Sequence, residues 1–323
     1  MSEQRNVQPA SPYFSIVIPA YNEQDHIESC LQAIFSCDYD NTQYEVIVVD
    51  NGSQDETHEI ALNSECARVF QLLEGNVGAV RNYGAMQARG QILVFIDADC
   101  IMDRDWLNRA EKLIKENPNC AYGGGVKLPG NATWIEKSWL LQKKGQPTLP
   151  KHMIGASTIV PKELFMNIKG FDELVSSGED TDLHYRLTSA NVPVLIDHAL
   201  DITHLGNAKT PAQFIQRQIW HSENYVININ QSLKDPIFLI TVLFIFLPIL
   251  AIVHTFWPSD RPTVIIILII WSLVPALLSV KRLSRAHLFT LDLKKLLAIY
   301  SLDFFYLTGR SLGFIKGILK LIK

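Results

Sequence analysis

The sequence predicts an α/β domain on a mostly parallel sheet, followed by C-terminal transmembrane helices. Three observations predict it. Apolar runs and helical segments alternate through the first 130 residues, as in βαβ units with helices on both sheet faces. Two long stretches after Pro236 carry no Asp, Glu, Lys or Arg. The apolar run Ile92–Ile96 ends in Asp97-Ala98-Asp99. Carboxylates that close repel, and beside a core strand they need a partner, which a bound cation would supply.

Residues 1–12 read as a disordered lead-in with no signal peptide. Strands are expected at 14–19, 44–50, 67–73 and 92–97, with helices from about Glu23, from Ser53 and across Val80 to Ala88. Sheets of this kind bind ligands at the carboxyl ends of their strands. Tyr21, Asn22 and Glu23 follow the first strand, Asp50 to Ser53 follow the second, and Asp97 and Asp99 follow the fourth. Neither GxGxxG nor GxxxxGK[ST] is present, which disfavours a dinucleotide fold and a P-loop. Each polar residue also has a local explanation. Ser53 fits a helix cap, Asp50 a turn and Glu23 a first helical turn. Their joint placement on one rim favours function.

Charge divides the chain. From residue 236 onward there are ten Lys+Arg and three Asp+Glu, against 19 and 30 before it. The acidic front half excludes nucleic acid as an expected partner. Residues 237–257 and 263–280 are long enough to span a membrane, joined by the hairpin PSDRP. Lys281, Arg282, Arg285, Lys294 and Lys295 follow the second span and place it, and therefore the N-terminal half, in the cytoplasm. Residues 296–322 fit either an interfacial amphipathic helix or a third span. The expected domains are 13–235 and 236–323, in a multi-pass protein of the inner membrane. Five cysteines without a CxxC read as reduced thiols.

IVIPAYNE (16–23), VIVVDNGSQDET (46–57), GNVGAVRNYGA (75–85), FIDAD (95–99) and SGEDTDLHYRL (177–187) together resemble family 2 glycosyltransferases of the GT-A fold, a Rossmann-like nucleotide-binding architecture. The resemblance covers some 190 residues. It implies an inverting transfer of one sugar from a nucleotide-sugar, with uracil as the favoured base, to a membrane-held acceptor. Asp97 would meet the ribose, and Asp99 would hold Mg²⁺ or Mn²⁺ on the diphosphate. His204, in ITHLG, would be a second metal ligand, or else a hydrogen-bonded structural histidine.

The resemblance also puts Pro19 and Tyr21 against the nucleobase, with Glu23 supporting Tyr21. Asp50 would accept from the base, and Arg81 would meet the base edge or the diphosphate. Surface salt bridging is the alternative for Arg81. Asp180 corresponds to the family's general base. Glu179 is expected to bind substrate beside it, although Glu179, Asp180 and Asp182 also fit first-turn helix acids. Processive relatives carry Gln-x-x-Arg-Trp, whereas QFIQRQIWHSEN (213–224) has Arg217 and Trp220 apart, which implies single transfer with both facing the acceptor. That acceptor is expected to be a polyprenyl-linked glycan of the cell envelope or an exopolysaccharide. A polyprenyl phosphate acceptor and a non-catalytic membrane scaffold are the alternatives.

Overall fold

A computed structural model describes residues 12–143, 145–175, 177–226, 229–256 and 261–322. The first eleven residues of the expected lead-in and most of the PSDRP hairpin lie outside them. The described chain forms two compact units. One comprises residues up to 129 together with 146–206, and the other comprises 130–145 and 207–323. The division falls earlier than Pro236.

In the first unit, β1 (Phe14–Ala20), β2 (Tyr44–Asp50), β3 (Ala67–Gln71) and β4 (Ile92–Phe95) pair in parallel in the order β4-β1-β2-β3. The central residues of β1, β2 and β4 are apolar on both faces and almost wholly buried, as a parallel sheet covered by helices requires, whereas β3, at the edge, is half-buried and carries Arg68. The strand Thr158–Pro161 joins β4 antiparallel, and Ala121–Gly123 and Val194–Ile196 complete seven strands. The strand order reverses between β1 and β4. That crevice at the carboxyl ends is where such sheets take ligands.

Helices α1 (Ile27–Phe35), α2 (Thr57–Leu62) and α3 (Val77–Gln87) follow the first three strands. The first two start about four residues later than their sequence indicated, because the loops ahead of them bind each other. Asn22 N donates to Ser53 Oγ at 3.0 Å, Gln54 N to Asn22 Oδ1 at 2.8 Å, and Glu23 N to Thr57 Oγ1 at 2.7 Å. Ser53 therefore caps no helix. Asn22 adopts φ 56°, a left-handed conformation that Asn tolerates better than most residues.

A second, three-stranded sheet in this unit pairs Ile202–His204 with Cys100–Ile101 and Val126–Lys127. Its register sets His204 opposite Cys100 and so beside Asp99.

The second unit is helical. Trp134–Trp139 and Pro211–Ser222 each start with a capping box, from Thr133/Glu136 and Thr210/Gln213. Pro236–Thr255 and Arg261–Arg285 are the two described helices long and apolar enough to cross a membrane. Leu293–Ile322 is longer but carries Asp303, Arg310, Lys316 and Lys320. It packs on Pro211–Ser222 through Gly309, Gly313 and Gly317, where a Cβ would strike Ile215 O, Ile219 O and Glu223 O. Asp303, buried in this unit, is held by Arg282 at 2.6 Å and Ser279 at 2.7 Å. The same Arg282 donates to Trp139 O at 2.8 Å and lies over the Trp139 ring.

Candidate active site

The rim at the carboxyl ends of β1, β2 and β4 is organised by one guanidinium. Arg81, on α3, is only 3% exposed. Its Nη2 donates to Asp97 Oδ1 at 2.6 Å and its Nη1 to Glu179 Oε1 at 2.5 Å. The Phe171 ring lies 5.5 Å from its Cζ. Burial opposes the charge, but the two carboxylates outweigh it and hold the Arg81 pKa above its ordinary value. The surface salt bridge weighed from sequence is thus a buried one. Gly155 makes room for it, because a Cβ there would strike the guanidinium.

Glu179 begins the helix Glu179–Ser189, after Gly178 at φ 86°. Asp180 is next. Its Oδ2 accepts from Gly155 N at 3.0 Å and its Oδ1 from Thr181 N at 2.6 Å. Asp182 pairs with Arg186 Nε at 2.7 Å, one turn along the helix, as expected for an ordinary i,i+4 pair.

Asp99, Cys100 and His204 place one possible ligand atom each within 4.8 Å of one another. Asp99 Oδ2 lies 3.5 Å from His204 Nδ1, and both side chains are largely buried. Burial, and then the Asp99 charge, raise the Cys100 thiol well above its usual pKa, and a soft sulfur suits Mn²⁺ or Mg²⁺ less than oxygen and nitrogen donors do. A carboxylate oxygen and an imidazole nitrogen remain, a donor pair that fits a divalent cation such as Mn²⁺ or Mg²⁺. Gly206 leaves space beside this carboxylate, since a Cβ there would strike Asp99 Oδ2.

Glu23 belongs to the same neighbourhood rather than only to Tyr21. Its pKa is raised by burial first and then by the charge of Asp99, and His26 Nδ1 lies 3.0 Å from its Oε2. Tyr21 projects from the end of β1 with its side chain 54% exposed, while Pro19 sits within β1 opposite Val49.

Asp50 ends β2. It is fully buried, and its oxygens accept from Gly52 N, Ser53 N and Gln71 Nε2 at 3.2–3.3 Å. It shapes the turn after β2. Arg217 and Trp220 are both exposed on Pro211–Ser222, in the second unit.

Gly155 and Gly206 were not legible as site residues. A glycine two positions after His204 was the available signal for one; nothing marked the other.

Residues 15–170 match the family described as Glycosyl transferase family 2. Glycosyltransferase AglE of Haloferax volcanii is 32% identical over 197 residues, covering 58% of this chain and 65% of AglE. The dolichyl-phosphate beta-glucosyltransferase of Drosophila melanogaster is 42% identical over 99 residues, which are 26% of this chain and 30% of that protein. The chain thus spans less than two thirds of either relative. The structure of mannosyltransferase PcManGT from Pyrobaculum calidifontis, in complex with GDP-Man and Mn²⁺, is similar with a TM-score of 0.55. At 20% identity it covers 98% of this chain and 90% of its own, and it establishes likeness of fold.

The buried bridge makes a stability prediction. Arg81→Ala leaves Asp97 and Glu179 without their cation and is expected to cost about 3–5 kcal/mol in urea unfolding of the detergent-solubilised protein. Arg81→Lys, which lacks the planar fork, should recover only part of this. A loss within about 0.5 kcal/mol, the range of an ordinary surface change, would show that the bridge is not structural.

Proposed function

From the match of residues 15–170 to glycosyl transferase family 2, we propose that the chain transfers one sugar, with inversion, from a nucleotide-sugar to a membrane-held, polyprenyl-linked acceptor. The observation that carries this reading is the Arg81 bridge. It ties Asp97, at the end of β4, to Glu179, the neighbour of Asp180. Donor-side carboxylate and candidate base therefore share one rigid support. Tyr21 offers an exposed ring for the nucleobase, with uracil favoured from the family resemblance, and Asp97 meets the ribose. Arg81 acts through the carboxylates it holds. Asp99 and His204 hold a divalent cation, which when bound neutralises charge on the nucleoside diphosphate. The imidazole favours Mn²⁺ over Mg²⁺.

Asp180 takes the proton of the acceptor hydroxyl as that oxygen attacks the anomeric carbon and the donor diphosphate leaves. Gly155 N–H and Thr181 N–H orient its carboxylate. Arg217 and Trp220, not adjacent as in processive relatives, support a single transfer to the acceptor in cell-envelope or exopolysaccharide synthesis.

The similarity to a dolichyl-phosphate beta-glucosyltransferase favours a second acceptor, a polyprenyl phosphate. Its oxygen is already ionised and needs no base. The two apolar helices and the cationic segment after them support a multi-pass inner-membrane protein with a cytoplasmic catalytic domain.

Three measurements test this. Asp180→Asn should keep donor affinity within a few-fold while kcat falls by about two to four orders of magnitude, the worth of a positioned base. Asp182→Asn, which loses only a helix-surface pair, should retain most activity. An Asp180→Asn enzyme with normal turnover would transfer the assignment to the phosphate acceptor. Equal losses in the two variants would make the segment structural.

Chelation should abolish donor binding, and Asp99→Asn should do nearly the same while the fold survives. Unchanged UDP-sugar affinity in Asp99→Asn would remove the cation from this site. Finally, a reporter fused after Lys281 should label as cytoplasmic and one inserted at Ser259 as external. The reverse labelling would overturn the topology.

A further inference from the structure

The loop that braces Asp180 also carries part of a ring cluster that the catalytic scheme does not use. Gly155 N donates to Asp180 Oδ2 at 3.0 Å. Three residues earlier, the His152 ring lies 4.9 Å from the His184 ring and 5.0 Å from the Tyr185 ring. The Tyr185 hydroxyl and His152 Nε2 are 3.1 Å apart. Between these points the loop is held in place, because Met153 is buried and Ile154 bridges to Ser157. His184 and Tyr185 follow Asp180 by four and five residues on Glu179–Ser189, about 6–8 Å along the helix axis. The cluster therefore stands beside the candidate base, at a separation on the scale of one sugar ring.

Two features give this cluster a ligand chemistry. The first is its rings. Tyr185 is exposed, whereas His184 Nδ1 is buried and has no hydrogen-bond partner. His184 is held below its ordinary pKa, by burial first and then by His152, so it is neutral near pH 7. An exposed phenol beside an imidazole offers an apolar face with polar edges, as sites for small polar molecules do. The second feature is the charge at the start of the helix. Glu179 is paired with Arg81 and Asp182 with Arg186. Asp180 accepts from two backbone N–H groups and forms no ion pair among the described residues. A carboxylate without a cation repels a phosphate oxygen brought against it, but it accepts a hydrogen bond from a hydroxyl.

We infer that Tyr185 and His152 form the wall of an acceptor subsite for an uncharged pyranose ring, so that the attacking oxygen is a sugar hydroxyl and not a lipid phosphate oxygen. The Tyr185 ring stacks on the C–H face of the sugar, and the Tyr185 hydroxyl and His152 imidazole bond its hydroxyls. This deepens the acceptor reading and rests on Asp180 facing the acceptor.

The test is saturation-transfer NMR on the full-length protein in detergent micelles, without any sugar nucleotide. The probes are methyl β-D-glucopyranoside, methyl β-D-galactopyranoside, methyl α-D-mannopyranoside and methyl N-acetyl-β-D-glucosaminide. At least one should give saturable transfer. Its affinity should fall about tenfold or more in Tyr185→Ala, the scale of a lost stacking ring together with its hydrogen bond, and should also fall in His152→Ala. Tyr185→Phe keeps the ring and should stay within a few-fold of wild type. Farnesyl phosphate at the same concentration should displace the glycoside poorly. Absence of saturable transfer from every probe, or wild-type affinity in either alanine variant, would overturn the subsite. Equal displacement by farnesyl phosphate would give this wall to a phosphate acceptor and overturn the proposal as well. Melting temperatures close to wild type check that the variants are folded, and Tyr185→Leu, which keeps an apolar side chain but no ring, replaces Tyr185→Ala if that variant unfolds. Because no bond is made in this experiment, failure here is distinct from failure of Asp180→Asn to lower kcat.

Discussion

A guanidinium buried between two carboxylates from distant parts of the chain organises the candidate site. Arg81 comes from α3, Asp97 from the end of β4 and Glu179 from a helix almost a hundred residues later. None of the three is easily buried alone, since an unpaired ion in a core is costly. Together they satisfy one another, and the Phe171 ring and the space at Gly155 complete the enclosure. The bridge also meets the difficulty of Asp97 and Asp99 standing one residue apart. Asp97 is neutralised from within the protein, which leaves Asp99 as the carboxylate facing His204.

That division of labour depends on a second constraint, the register of the small sheet. Pairing His204 with Cys100 brings an imidazole from residue 204 to a carboxylate at residue 99. A shift of one residue would turn the His204 side chain to the opposite face. Gly206 matters for the same reason, because any side chain there would occupy the position of the Asp99 oxygen.

The helical unit uses a different economy. Apolar surface dominates Pro236–Thr255 and Arg261–Arg285, whereas Leu293–Ile322 joins its neighbours through glycines and a few polar contacts. The glycines let helix backbones approach closely, and Arg282 satisfies Asp303 and two carbonyls of the short helix Trp134–Trp139 at once. This accounts for an acid in the middle of an otherwise apolar stretch, which hydropathy alone left open between span and interfacial helix.

The sequence by itself determined the parallel sheet, the rim at its carboxyl ends and the two membrane-length helices. Each is written in local pattern: apolar runs of strand length, turn residues after them, and long stretches without charge. Asp97, Asp99 and Asp180 were legible because motifs place them at strand ends and a helix start. Partners were not legible, because hydrogen bonds between residues 81 and 179 or 99 and 204 leave no periodic trace in the chain. Only the tertiary structure decided that Arg81 is buried in a bridge, that Asp50 accepts hydrogen bonds from the turn after β2, and that α1 and α2 start late because their preceding loops bind each other. It likewise decided that residues 207–235 pack with the C-terminal helices. Local pattern records which backbone a segment prefers; which charge meets which depends on contacts that exist only once the chain has folded.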